Sequence, residues 1–119
     1  MINRTIEFDT VLDLCQSRRR RIVLALFADQ QRSLTVNDLI KAIVKHDHHE
    51  SITEVSAEVL TQIGIELKHA HIPRMEEAGV IEYNSKRKLA EPTDQFDQLQ
   101  PYLSAIINAD PALEFPIEL

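Results

Sequence analysis

Three clusters of side chains in this 119-residue chain have types and spacings that bear on chemistry. Arg18-Arg19-Arg20-Arg21 and Lys86-Arg87-Lys88 are runs of fixed cations suited to phosphate oxygens. Such contacts give affinity and register rather than base preference. His46-Asp47-His48-His49-Glu50 gathers imidazoles and carboxylates, the ligand types that bind transition metals. Adjacent ligands in one loop do not set tetrahedral geometry, and the single Cys15 offers no cysteine pair. No metal or cofactor is therefore assigned, and a metal-responsive repressor is the weakest of three functional readings. Gly 2 is too few for a glycine-rich phosphate loop. There is also no Ser-His-Asp arrangement around a nucleophile elbow and no zinc-protease histidine pair. The chain reads as a non-enzyme with no catalytic residues.

A net charge of −6 argues, as a total, against a nucleic-acid partner. Its distribution does not. All 13 Lys and Arg lie in residues 1–88, whereas Glu91, Asp94, Asp97, Asp110, Glu114 and Glu118 follow with no basic residue among them. The first 88 residues are balanced, and the acidity belongs to the C-terminal quarter. One cysteine excludes a disulfide framework and suits a reducing cytoplasm. No apolar run approaches the roughly 18–20 residues that span a bilayer, and no signal peptide is expected. A cytoplasmic protein without a membrane partner is the expectation.

These side chains need elements to position them. Val11, Leu12, Cys15, Ile22, Val23, Leu26 and Phe27 recur at helical spacing over Thr10 to Ala28. Either one helix starts at Asp9 or Thr10, or Ser17 caps a second that meets the first at Gln16. Ser33 to Thr35 is extended, and Thr35 caps a helix striped by Leu39, Ile40, Ile43 and Val44. His46 to Glu50 reads as a loop. A long helical register then runs from about Thr53 through Val59, Ile63, Leu67, His71, Met75 and Ala78, ended by Gly79. Pro73 inside it predicts a kink or a fresh start. Val80–Tyr83 and Lys88–Ala90 form a hairpin around Asn84-Ser85-Lys86-Arg87. Thr93 caps a last helix, and Leu113, Phe115, Ile117 and Leu119 alternate like an edge strand.

That order makes the fold mainly α with a small β-hairpin, a winged helix-turn-helix with an added C-terminal dimerisation helix. Residues 1–91 form the winged domain, 92–109 the helix and 110–119 an extended tail. In such folds a recognition helix enters the major groove and the wing touches flanking backbone. Arg18-Arg19-Arg20-Arg21-Ile22-Val23-Leu24, Leu67-Lys68-His69-Ala70-His71-Ile72-Pro73 and Ala78-Gly79-Val80-Ile81-Glu82-Tyr83 support the same reading. Over residues 10 to 91 the sequence resembles the small winged-helix proteins abundant in haloarchaea. These archaeal proteins are regarded as transcriptional regulators and are distantly similar to the arsenic-repressor and multiple-antibiotic-resistance classes.

The leading reading is a homodimeric, sequence-specific regulator of double-stranded DNA, with no effector assigned. Lys68, His69 and Arg74 are the candidate base readers; Lys86, Arg87 and Lys88 are the wing's phosphate contacts. Glu66, Glu76 and Glu77 share the recognition face and would repel phosphate. Arg18 or Arg19 falls on the stripe between Cys15 and Ile22 and needs a carboxylate partner, while Arg20 and Arg21 face solvent and meet phosphate. His71 and Cys15 read as core residues. Phe96, Leu99, Tyr102, Leu103 and Ile106 are the expected dimer interface. The alternative is a winged-helix protein-interaction module that does not bind DNA and uses its outward face, or its strand-like tail added to a sheet edge, for a partner. A positive band joining Lys68, Arg74 and the wing favours DNA; interruption by the three carboxylates favours protein.

Overall fold

The computed structural model describes residues 5–48, 51–113 and 117. Of the two alternatives for the first segment the structure has the second: two helices, α1 (Phe8–Leu14) and α2 (Arg18–Gln30), the latter capped by Ser17. The Ser17 side chain accepts from the Arg20 N–H at 3.3 Å, satisfying an orphan donor of the first turn. This fresh start resets the helical phase. Arg20, rather than Arg18 or Arg19, falls on the inward side with Val23, Leu24 and Phe27. Ile22 to Phe27 are all buried, so α2 is the central rod of the fold.

After β1 (Leu34–Thr35), a capping box opens α3 (Val36–Asp47). The Asp38 N–H donates to Thr35 Oγ1 at 3.1 Å, and the Thr35 N–H to Asp38 Oδ2 at 3.0 Å. The helix continues through His46 and Asp47, which the sequence pattern places in a loop. Cationic Lys45 lies in its last turn, where the helix dipole favours positive charge.

The expected long register begins later than Thr53. Ser56 caps α4 (Ala57–Glu66) through the Val59 N–H. One wide π turn, Leu67–His71, leads into α5 (Ile72–Glu77). The Ile72 N–H donates to the Leu67 carbonyl, five residues back. Pro73 follows, at a position where an unbroken α-helix would lose a donor and clash with the carbonyl four residues earlier. The wide turn lets Pro73 sit in the first turn of α5, the position where proline is tolerated. Gly79, at φ 79°, closes the rod: its N–H donates to Glu76 O and the Val80 N–H to Met75 O.

Strands β2 (Ile81–Asn84) and β3 (Leu89–Pro92) pair antiparallel, and β1 adds to the far side of β3. The sheet order is β1-β3-β2, with Leu34 opposite Ala90 and Tyr83 opposite the same Ala90. Thus α2, β1, α3, the α4–α5 rod and the β2–β3 wing follow the winged helix-turn-helix order, with α1 before and α6 (Phe96–Asn108) after. Thr93 does not cap α6. Its hydroxyl donates to Gly79 O at 2.6 Å, and Gln95 occupies the cap position without a side-chain bond.

One apolar core joins all these elements. Phe96 meets Phe27 of α2 edge-on, with ring centroids 6.3 Å apart. Phe96, Leu99 and Leu103, expected at a dimer interface, are at most 2% exposed within a single chain. The apolar stripe of α6 is consumed by α2, because α2 offers an inward face on that side too. Only Tyr102 of the expected set is exposed, and Ile106 is half-buried. The tail differs from expectation in the same way: Leu113 and Ile117 are buried in this core, so these two anchors are not available to a partner's sheet edge. Phe115 and Leu119 lie outside the described residues. Among the described residues no helix is long and apolar enough to cross a membrane.

Candidate nucleic-acid interface

The start of α3, the outer face of α4 and the base of the wing enclose an open groove. Its polar rim is Thr35, Asn37, Thr61, Lys68, Arg87 and Lys88, and Ile65 projects among them. Three of the described lining residues are cationic and none is acidic. The wing is held against α3 by backbone: the Val36 N–H donates to Lys88 O at 3.0 Å, one step beyond the Thr35–Leu89 register. Lys88 itself is left-handed, at φ 51°, a conformation that costs a side-chain-bearing residue about 1–2 kcal/mol. The hairpin tip is tightened by the Arg87 N–H donating to Asn84 Oδ1 at 3.1 Å.

The expected site residues divide across this geometry. Lys68, Arg87 and Lys88 come together. Lys86 lines the other side of the hairpin with Glu82 and Glu91, and Arg87 borders both surfaces. His69 is exposed but does not line the groove. Arg74 stands elsewhere, 3.3 Å from Asp13 of α1, in a cleft that also holds Asp9 and Glu77. A single positive band through Lys68, Arg74 and the wing is therefore not formed. The opposing carboxylates are redirected as well. Glu66 accepts from Arg19 Nη1 at 2.6 Å, and Glu76 accepts from the Tyr83 N–H at 3.2 Å.

The arginine run is a structural hub, which corrects its assignment to phosphate. Arg19, half-buried beside the inward Arg20, bridges Asp47 of α3 at 3.0 Å and Glu66 of α4, the carboxylate pairing expected of an arginine at the core's edge. Arg20 is only 6% exposed. It donates to the Leu14 and Asp13 carbonyls, both at 2.9 Å, and from Nη1 to His71 Nδ1. Its charge is met by the carbonyl end of α1 instead of by a carboxylate. Arg21 donates to Cys15 O at 2.6 Å and to Asp110 Oδ2 at 3.0 Å, fastening α2 to the segment after α6. Neither Arg20 nor Arg21 is placed to meet a ligand. Cys15 is buried, and burial pushes its thiol pKa up despite the two arginines nearby.

His48 Nε2 lies 3.2 Å from Arg19 Nη2. Among the described residues no group of three His, Cys, Asp or Glu side chains is placed to hold a metal; His49 and Glu50 lie outside them. Asn37, Thr61 and Ile65 are groove residues that the sequence pattern did not single out. The available signal was the spacing Thr61, Ile65, Lys68, which lines up two outward positions of α4 with one in the turn that continues it. An arc drawn from Leu67 onward misses it, because the π turn changes the phase there.

No curated protein and no solved structure matches the chain. A family model does match, over residues 12–91, from α1 to the wing's last strand. That span holds every groove residue and covers more than half of the chain, which therefore belongs to the family described as a domain of unknown function, DUF7344.

Proposed function

We propose that this protein is a sequence-specific, DNA-binding transcriptional regulator, with α4 in the major groove and the wing on the phosphate backbone. The observation that carries the reading is the groove in which Lys68, Arg87 and Lys88 converge without a carboxylate among its described lining residues. The duplex is a polyanion, and a protein neutralising several phosphates releases counterions, so its affinity falls steeply with salt. Fluorescence anisotropy with labelled duplexes across a salt series tests this. Reversing Lys68, Arg87 and Lys88 to Glu should abolish binding, and neutralising either wing residue should reduce the salt slope by about one. Unchanged affinity in the triple reversal overturns the proposal.

Two copies acting on a two-fold site belong to the same reading. With the apolar stripe of α6 used internally, the supporting surface is a different one. Phe8 and Leu12 of α1 and Tyr102 of α6 are 57%, 48% and 40% exposed. Phe8 and Tyr102 meet at a tilt of 59° with ring centroids 5.7 Å apart, making one apolar patch from two helices. A second copy would cover it.

A further inference from the structure

Among the described residues four large hydrophobic side chains are exposed. Phe8, Leu12 and Tyr102 belong to α1 and α6, whereas Ile65 projects at 46% exposure into the cationic groove. An aliphatic side chain there contributes nothing to phosphate contact. It is flanked by Thr61 one turn before on α4 and by Lys68 three residues on, in the π turn that continues the helix, both lining the same groove. The β-branch restricts χ1, so the side chain is a stiff apolar probe rather than a flexible one.

Of the groups in the major groove, thymine's C5-methyl is the apolar one, and a nonpolar side chain distinguishes it from cytosine. We infer that Ile65 is a specificity-determining residue that packs on a thymine methyl, with Lys68 hydrogen-bonding a guanine at a neighbouring step. The inference rests on the DNA-binding reading and adds to it which base is read by which residue. The spacing supports adjacency: three residues along the rod, at close to the α-helical rise, advance about 4.5 Å, and one base-pair step about 3.4 Å. A lysine reaching guanine O6 and N7 from the next turn would therefore meet a base one step from the thymine, or two at most.

The test begins with duplexes enriched from a random pool by the full chain. Each thymine in the enriched site is then replaced singly by uracil, which removes the methyl and nothing else. The expected result is one thymine per half-site, a step or two from a guanine, at which replacement weakens binding about fourfold, the value of one buried methyl. Ile65→Ala should bind the thymine and uracil duplexes equally, while Lys68→Ala keeps the difference. Ile65 is exposed, so circular dichroism should show both variants folded. Indifference of the wild type to every replacement, or a preference that survives Ile65→Ala, overturns this inference alone. A pool with no enriched duplex overturns it together with the DNA-binding reading.

Discussion

Arg20 Nη1 lies 3.3 Å from His71 Nδ1, and this contact joins the central helix to the π turn of the long rod. Arginine has donors and no acceptor, so Nδ1 must present its lone pair and the ring is neutral with its proton on Nε2. The nearest acid to that nitrogen is Glu66, at 3.9 Å. The rest of the guanidinium is used by the Asp13 and Leu14 carbonyls. One buried cation thus ties together α1, α2 and the turn that carries Lys68.

The contact makes stability depend on pH. Burial and then the Arg20 charge hold His71 below its ordinary value of 6.5; Glu66 opposes them, and Arg19 and Arg74 add to them. The folded state consequently binds fewer protons than the unfolded one, and stability falls as pH drops below about 6.5. Urea midpoints measured from pH 7.5 to 5 should decrease, and His71→Asn, which keeps an acceptor but does not titrate, should flatten the decrease. Asp110 acts in a separate window. The Ala112 N–H and then Arg21 hold its carboxyl below 3.8, so its contribution is lost only in stronger acid.

Neighbouring arginines should differ sharply in value. Arg20→Met strands two carbonyls and His71 Nδ1 in the interior and should cost about 2–4 kcal/mol in chemical denaturation. Arg18 pairs with Asp47 at 3.5 Å from a side chain 50% exposed, and Arg18→Ala should change stability by less than about 0.5 kcal/mol. Equal effects would remove the hub assignment.

At the wing, stability and binding should move in opposite directions. Lys88→Gly relieves the left-handed strain and should raise the unfolding free energy by about 1 kcal/mol. The same change deletes a groove cation, so duplex affinity should fall. Thermal melts and anisotropy on one preparation measure both.

The patch on α1 and α6 has its own readout. Leu12→Asp places a charge one helical turn from Phe8, on the same exposed apolar side of α1, and should convert a dimer into a folded monomer. Sedimentation velocity distinguishes the two. A wild type that is already monomeric at high concentration removes the second copy from the proposal.

Local chemistry was legible in the sequence where one segment decides it. Thr35 with Asp38, Gly79 after the rod and the polar hairpin tip are each set by residues within a few positions. Phase across a break was not legible: moving the helix start to Ser17 decides which arginine turns inward. Nor does amphipathicity say what covers an apolar face. The stripe of α6 looks the same whether α2 or a second chain meets it. The groove was half legible, since Lys68 and the wing were identified by charge, but Asn37 and Ile65 matter only because folding brings distant segments beside Lys88.

The π turn divides the rod into two halves whose orientations are set independently. Upstream, α4 presents Thr61 and Ile65 to the groove; downstream, α5 turns Arg74 toward α1 and Glu76 toward the wing strand. One residue more or less within 67–71 would rotate one half against the other by about 100° while leaving both helical. Insertion or deletion at this single place would thus uncouple the groove face from the anchoring face, giving the fold a hinge in sequence space where one half can be re-aimed without rebuilding the mount of the other.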